Sequence, residues 1–158
     1  MSYLRPYQVE AATAINNCLS NGSRSTLSVL PTGCGKTELG LSIADEWPQG
    51  DVLWLAHRQE LIYQPAERWR RLTGEDAEIE MGEFRASNTR NRGRLVCASV
   101  QTLTREKRIK SLFQDPKRVG LIVVDEAHHS TTPSYTKILE YLDHPDLRIL
   151  GLTATPDR

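Results

Sequence analysis

The spacing of apolar positions changes several times along the chain, and it predicts helices that alternate with short strands. From Pro6 onward, apolar side chains recur every three or four residues, which predicts an amphipathic helix ended by Asn21 and Gly22. The same spacing predicts further helices between 37 and Pro48, over 59–72, and after Pro133. The predicted buried stripe of the first helix is Val9, Ala12, Ile15 and Leu19.

Short apolar runs lie between the predicted helices and predict the strands of a sheet. These runs cover residues 26–30, 52–56, 77–81, 95–99, 119–124 and 148–152. The run at 119–124 is continuously apolar, which is typical of a central strand buried on both faces. Strands that alternate with helices predict an α/β three-layer sandwich, in which helices cover both faces of a mostly parallel central sheet. We expect one domain over residues 1–158, with a polar loop at 82–94.

Overall charge does not separate the possible functions. Lysine plus arginine and aspartate plus glutamate both total 20, so the net charge neither supports nor excludes a nucleic-acid partner. Cys18, Cys34 and Cys97 are odd in number and widely spaced, which predicts reduced thiols and no metal cluster. No apolar stretch approaches the ~18 residues of a membrane span, and no signal peptide is evident, so we expect a cytoplasmic protein without membrane contact.

The first chemical motif follows the first predicted strand and opens the next helix. Its glycines allow backbone N–H groups to surround phosphate oxygens, Lys36 supplies positive charge, and the hydroxyl of Thr37 suits magnesium. Leu30 stands where the usual pattern has its first glycine, and an ordinary strand-to-helix turn is the alternative interpretation. The predicted phosphate-binding residues are Pro31, Thr32, Gly33, Cys34, Gly35, Lys36 and Thr37.

A pair of carboxylates follows the apolar run at 119–124. Asp125 stands directly at the strand end and is predicted to hold Mg²⁺ together with Thr37. Glu126 is predicted to orient and deprotonate an attacking water. A solvated turn, or an acidic pair at a helix start, is the alternative.

Six strings occur in the order found in superfamily 2 helicases and translocases: LRPYQ, PTGCGKT, AHRQEL, SVQTL, DEAHH and LTATP. The chain resembles the first RecA-like domain of a DEAH-type enzyme, and it is similar to DNA repair helicases of the RadD and XPB-like groups. The resemblance implies a RecA-like P-loop NTPase fold, ATP and Mg²⁺ as ligands, and an ATPase that moves along or unwinds nucleic acid, more often DNA than RNA.

The resemblance also implies roles for residues outside the two motifs. Arg5 and Gln8 would read adenine, although a plain helix start explains this segment as well. Two segments would contact nucleic-acid phosphates, and solvated helix caps are the alternative for both. The residues implied are His57, Arg58 and Gln59, then Gln101 and Thr102, and finally His128, Thr153 and Thr155 for coupling hydrolysis to movement.

Enzymes of this superfamily hydrolyse ATP between two RecA-like domains, and the second domain supplies arginine fingers. Such arginines contribute factors of about 10³ to 10⁵ in rate. We therefore expect this chain to need a second RecA-like domain and to be weakly active or inactive alone. A translocase or restriction-enzyme motor without strand separation, and a stand-alone nucleotide-binding switch, are the alternatives.

Overall fold

The computed structural model describes residues 3–87, 93–129 and 132–154. Within these residues six strands form one sheet, in the order β1-β6-β5-β2-β4-β3, and every neighbouring pair is parallel. The predicted sheet is confirmed. The strands are β1 (Ser25–Val29), β2 (Asp51–Ala56), β3 (Glu78–Glu80), β4 (Leu95–Ser99), β5 (Val119–Asp125) and β6 (Arg148–Thr153).

Helices cover both faces of the sheet, as predicted. Buried residues of α1, α2 and α3 pack with one set of alternating strand positions, which includes Val52 and Trp54. Buried residues of α4, α5 and α6 pack with the other set, which includes Leu53 and Leu55. The helices are α1 (Pro6–Ser20), α2 (Lys36–Glu46), α3 (Glu60–Thr73), α4 (Val100–Leu103), α5 (Glu106–Leu112) and α6 (Pro133–Leu142). None of the helices in these described ranges is long and apolar enough to cross a bilayer.

The structure corrects two expectations from the periodicity. Val9 is exposed, and the buried position on that turn of α1 belongs to Gln8, whose amide contacts a neighbouring loop. Helix α4 was expected only in the alternative interpretation of the 99–102 segment as a helix cap, and α5 was not expected. The first is only four residues long, and the inward face of the second includes the polar Arg108, so neither has an extended apolar stripe.

Close packing of α2 against the sheet positions the start of this helix. A side-chain carbon at Gly40 would lie 2.8 Å from Cη2 of Trp54 and 2.8 Å from Cδ1 of Leu152. Glycine lets the helix lie directly on β2 and β6 at this point. The amino end of α2, with Lys36 and Thr37, is thereby held at the carboxyl edge of the sheet.

A buried ion pair organises the turn that follows β3. Nε of Arg108 lies 2.7 Å from Oε1 of Glu80, and the two side chains are only 7% and 4% exposed. The guanidinium also donates to the carbonyls of Gly82 and Phe84, at 2.7 and 3.1 Å. Oε2 of Glu80 accepts from the backbone N–H of Ala86. Arg108 therefore connects α5 to both ends of this turn.

We predict that Arg108→Met destabilises the fold by about 3–5 kcal/mol, because it leaves the Glu80 carboxylate buried without its cation. Urea unfolding followed by circular dichroism measures the loss. Arg71→Met is the matched control, since Arg71 pairs with Glu67 at 2.6 Å on an exposed helix face, where such pairs contribute roughly 0.3–0.5 kcal/mol. Equal losses for the two variants would contradict the structural role given to Arg108.

Candidate functional site

The predicted phosphate-binding loop, called the phosphate loop below, joins β1 to α2. Gly33 and Gly35 have φ angles of 83° and 77°, in the left-handed region that favours glycine. The N–H of Cys34 donates to the carbonyl of Pro31 at 3.1 Å, and the N–H of Leu30 donates to Thr153 O at 3.0 Å. The loop thus curls into the amino terminus of α2, where unpaired N–H groups and the helix dipole favour an anion.

Two residues of α1 hold this loop from the side. The amide nitrogen of Gln8 donates to the carbonyls of Cys34 and Gly35, at 3.3 and 3.1 Å, while its oxygen accepts from the N–H of Arg5. The hydroxyl of Tyr7 donates to Cys34 O at 2.8 Å. In this arrangement Gln8 supports the phosphate loop. To donate to adenine, its amide nitrogen would have to exchange one of these bonds, whereas its oxygen has a second lone pair that can accept from adenine as predicted.

The two predicted motifs meet at Lys36 and Asp125. Nζ of Lys36 lies 3.3 Å from Oδ1 of Asp125, whose side chain is 1% exposed. Burial raises the pKa of Asp125, and the Lys36 ammonium opposes that rise. Oδ2 of Asp125 is buried and accepts no hydrogen bond within the described part of the chain. Together with the buried hydroxyl residue Thr37, this carboxylate offers the oxygen ligands that Mg²⁺ prefers.

An open cavity of about 450 Å³ adjoins the phosphate loop, a volume in the usual range for small-molecule sites. It brings the predicted adenine and phosphate residues into one space. A larger cavity, of about 630 Å³, lies near the starts of β2, β5 and β6 and contains none of the predicted site residues. Residues lining the smaller cavity include Tyr3, Arg5, Tyr7, Gln8, Lys36, Thr37, Gln64 and Arg68.

Glu126 and Arg58 form an ion pair that the sequence did not predict. Nη2 of Arg58 lies 2.6 Å from Oε1 of Glu126. Glu126 has a φ of 54°, and it is the one non-glycine residue with a positive φ within the described ranges. The predicted catalytic base is thus joined to a residue predicted to bind nucleic acid.

The 57–59 segment does not form a side-chain cap. Helix α3 has Gln59 as its N-cap, with no hydrogen bond from that side chain, and both Arg58 and Gln59 are exposed. The backbone oxygen and Nδ1 of His57 lie 3.1 and 3.3 Å from Nε2 of Gln101. The two predicted nucleic-acid segments are therefore in direct contact.

The 99–102 segment does form a cap. Ser99 is the N-cap of α4, and its hydroxyl accepts from the N–H of Thr102 at 3.1 Å. The hydroxyl of Thr102 is buried between Ser99 and the N–H of Gly82. Thr102 thus supports the backbone of this surface, while Gln101 remains exposed.

Two of the three predicted coupling residues, His128 and Thr153, lie within the residues that the structure describes. Nδ1 of His128 and Oγ1 of Thr153 are 3.1 Å apart, so the DEAH segment contacts the end of β6. Thr155 lies outside the described residues.

Tyr135 of α6 also adjoins the site, although its role was not predicted from the sequence. It is buried, and its ring packs edge-on to that of His57, with the ring centroids 5.2 Å apart. Burial, and then the charges of Asp125 and Glu126, raise the pKa of Tyr135.

Comparison with known proteins shows the family to which the chain is similar. The family model described as the type III restriction enzyme res subunit matches residues 2–158. A Schizosaccharomyces pombe protein named as the mitochondrial ATP-dependent helicase irc3 is 35% identical over 162 residues, which cover 96% of this chain and 26% of that protein. The ATP-dependent DNA helicase mph1 of Aspergillus oryzae is 33% identical over 148 residues, which cover 82% of this chain and 12% of that protein.

Among solved structures, the helicase domain of Hef from Pyrococcus furiosus is 30% identical and has a TM-score of 0.75. The match covers 96% of this chain and 33% of that chain, so the present sequence spans a minor part of each of these relatives. The six-stranded parallel sheet is consistent with these matches. The chain belongs to the family described as the res subunit of type III restriction enzymes, and it has the fold of the amino-terminal RecA-like domain of superfamily 2 helicases.

Proposed function

We propose that this chain is the ATP-binding half of a superfamily 2 motor that couples Mg-ATP hydrolysis to movement along DNA or to its unwinding. The observation that carries the proposal is the contact between Lys36 and Asp125. Nζ of Lys36 lies 3.3 Å from the buried carboxylate of Asp125, whose Oδ2 accepts no hydrogen bond within the described ranges, and this supports a site for phosphate and magnesium. The names of irc3 and mph1, which describe ATP-dependent helicases, support the same function.

The residues of the phosphate loop have separate tasks in this proposal. Backbone N–H groups at the start of α2 bind phosphate oxygens, and Lys36 neutralises part of their charge. Thr37 and Asp125 would hold Mg²⁺, which when bound withdraws charge from the phosphates. Glu126 accepts the proton of the attacking water once its carboxylate is available.

The surface beside this site suits a nucleic-acid backbone. Arg58 and Gln101 are exposed and follow β2 and β4, and β2 adjoins β5, which carries Asp125. A guanidinium, side-chain amides and N–H groups at a helix start are the usual donors to phosphate oxygens, and they read no base sequence. We propose DNA as the partner because mph1 is named as a DNA helicase.

A second RecA-like domain completes the motor in this proposal. The chain spans 26% of irc3 and 12% of mph1, and arginine fingers from a second domain would supply much of the catalytic rate. A translocase that moves without separating strands is the second candidate, because the matching family is described as a restriction-enzyme subunit. Strand-displacement assays on the assembled motor separate the two candidates.

We predict that Lys36→Ala weakens ATP binding by at least about tenfold, or ~1.4 kcal/mol, since it removes the positive charge that contacts the phosphates. Fluorescence titration with Mg-ATP measures the affinity. Lys107→Ala is the matched control, because Lys107 is exposed on α5, away from the site. A Lys36→Met variant, checked by thermal unfolding, separates loss of binding from loss of folding. Unchanged affinity in folded Lys36 variants would refute the phosphate site.

We predict that the chain alone binds Mg-ATP but hydrolyses it no faster than its Glu126→Gln variant, because the arginine fingers are supplied by another domain. Steady-state phosphate release, measured with and without single-stranded DNA, duplex DNA and RNA, checks this expectation. Suppose instead that DNA stimulates turnover and that Glu126→Gln abolishes it. The catalytic arginines would then come from this chain or from a second copy of it. That result would overturn the half-motor proposal.

A further inference from the structure

A hydrogen-bonded ion pair between Arg58 and Glu126 joins the predicted nucleic-acid surface to the predicted catalytic base. Nη2 of Arg58 lies 2.6 Å from Oε1 of Glu126. The two side chains are 60% and 19% exposed, so the arginine stands in solvent while the carboxylate is largely covered. An exposed guanidinium remains accessible to a competing anion.

The sheet brings these two residues together. Strands β2 and β5 are neighbours, with Leu55 opposite Val124, and adjacent strands lie about 4.8 Å apart. Arg58 follows the end of β2, and Glu126 follows the end of β5. The left-handed backbone at Glu126, with its φ of 54°, is the conformation in which this bond is made.

The bond fixes the carboxylate that hydrolysis requires. A carboxylate has about four lone-pair sites, and the Arg58 guanidinium engages one of them on Oε1, which holds Glu126 in one orientation and keeps that site from a water. Lys36 contacts Asp125, and Arg58 contacts Glu126. The carboxylate proposed to hold magnesium, Asp125, and the one proposed to accept the proton, Glu126, therefore have different cationic partners. Of these two partners, only Arg58 belongs to the predicted nucleic-acid surface.

We propose that Arg58 is a positioning residue with two mutually exclusive partners: Glu126 in the absence of nucleic acid, and a DNA backbone phosphate in its presence. The proposal rests on the function proposed above. A phosphate accepts the same guanidinium donors as a carboxylate. DNA that binds Arg58 releases Glu126 for the attacking water, which couples DNA binding to hydrolysis.

The strength of the bond suits such an exchange. Arg58 is mostly exposed, and ion pairs at a protein surface change an equilibrium constant by only about twofold to fivefold. One phosphate among several DNA contacts can therefore displace the Glu126 carboxylate from Arg58. Coupling between two sites is reciprocal. If DNA must break the Arg58–Glu126 bond, removing the Glu126 charge must tighten DNA binding even without ATP.

The test is a double-mutant cycle on the nucleotide-free chain, with fluorescence anisotropy of a labelled single-stranded oligonucleotide as the readout. We expect Glu126→Gln to tighten binding twofold to fivefold and Arg58→Ala to weaken it. In the Arg58→Ala background, Glu126→Gln should have no effect, because the competition has been removed. Arg58→Lys should retain part of the affinity, since it keeps the charge but loses the fork of donors.

A control variant and a salt titration distinguish this exchange from the loss of any carboxylate and from a purely structural role of Arg58. Glu67→Gln removes a carboxylate from an exposed arginine pair of the same 2.6 Å length on α3, and it should leave DNA affinity unchanged. Arg58→Ala should also reduce the slope of log K against log salt by about 0.7, as expected for one lost contact to a single-stranded phosphate. A purely structural role of Arg58 would not change that slope.

The possible outcomes have distinct meanings. If Glu126→Gln tightens DNA binding equally with and without Arg58, the effect is simple repulsion between the Glu126 carboxylate and the DNA phosphates. That result would overturn the exchange. No tightening in a chain that binds DNA would overturn it as well, while leaving the proposed motor function intact. Absence of DNA binding in every variant, alongside normal ATP binding, would overturn both the exchange and the nucleic-acid function.

Discussion

The common direction of the six strands is the constraint on which the site depends. Because every neighbouring pair is parallel, the described segments that carry the predicted chemistry after β1, β2, β4, β5 and β6 leave the sheet at one edge. Helices on both faces bury the strands and leave that edge accessible. The phosphate loop, the acidic pair and the exposed arginine therefore come together at this edge.

The two arginine–carboxylate pairs at this edge of the sheet differ in burial, and therefore in the roles that they can have. Arg108 and Glu80 are almost completely buried, and each also bonds the backbone of the turn after β3, so neither can change partner without loss of stability. Arg58 is mostly exposed, and the exchange proposed for it requires a bond to Glu126 that a phosphate can replace. The same chemical pairing thus has a structural role at one end of the sheet edge and a proposed coupling role nearer its centre.

Local patterns predicted most of the fold. Six predicted runs matched six strands. The central strands β2, β4 and β5 are buried on both faces, which requires continuous apolar sequence, whereas β1 and β3 at the ends of the sheet are only partly buried. The pattern failed where side chains are buried for polar reasons. Gln8 is buried because its amide bonds the phosphate loop, and α5 was missed because Arg108 lies on its inward face. A hydropathy pattern predicts neither a buried amide that bonds a loop nor a buried arginine on a helix.

The sequence by itself determined the alternation of strands and helices, the phosphate loop and the acidic pair, because each depends on residue type and short-range spacing. Only the tertiary structure decided which side chains meet. Lys36 reaches Asp125, His128 reaches Thr153, and Arg58 reaches Glu126 across strand ends that are distant in the chain. Strand order sets these contacts, and strand order depends on how the whole sheet packs between its helices.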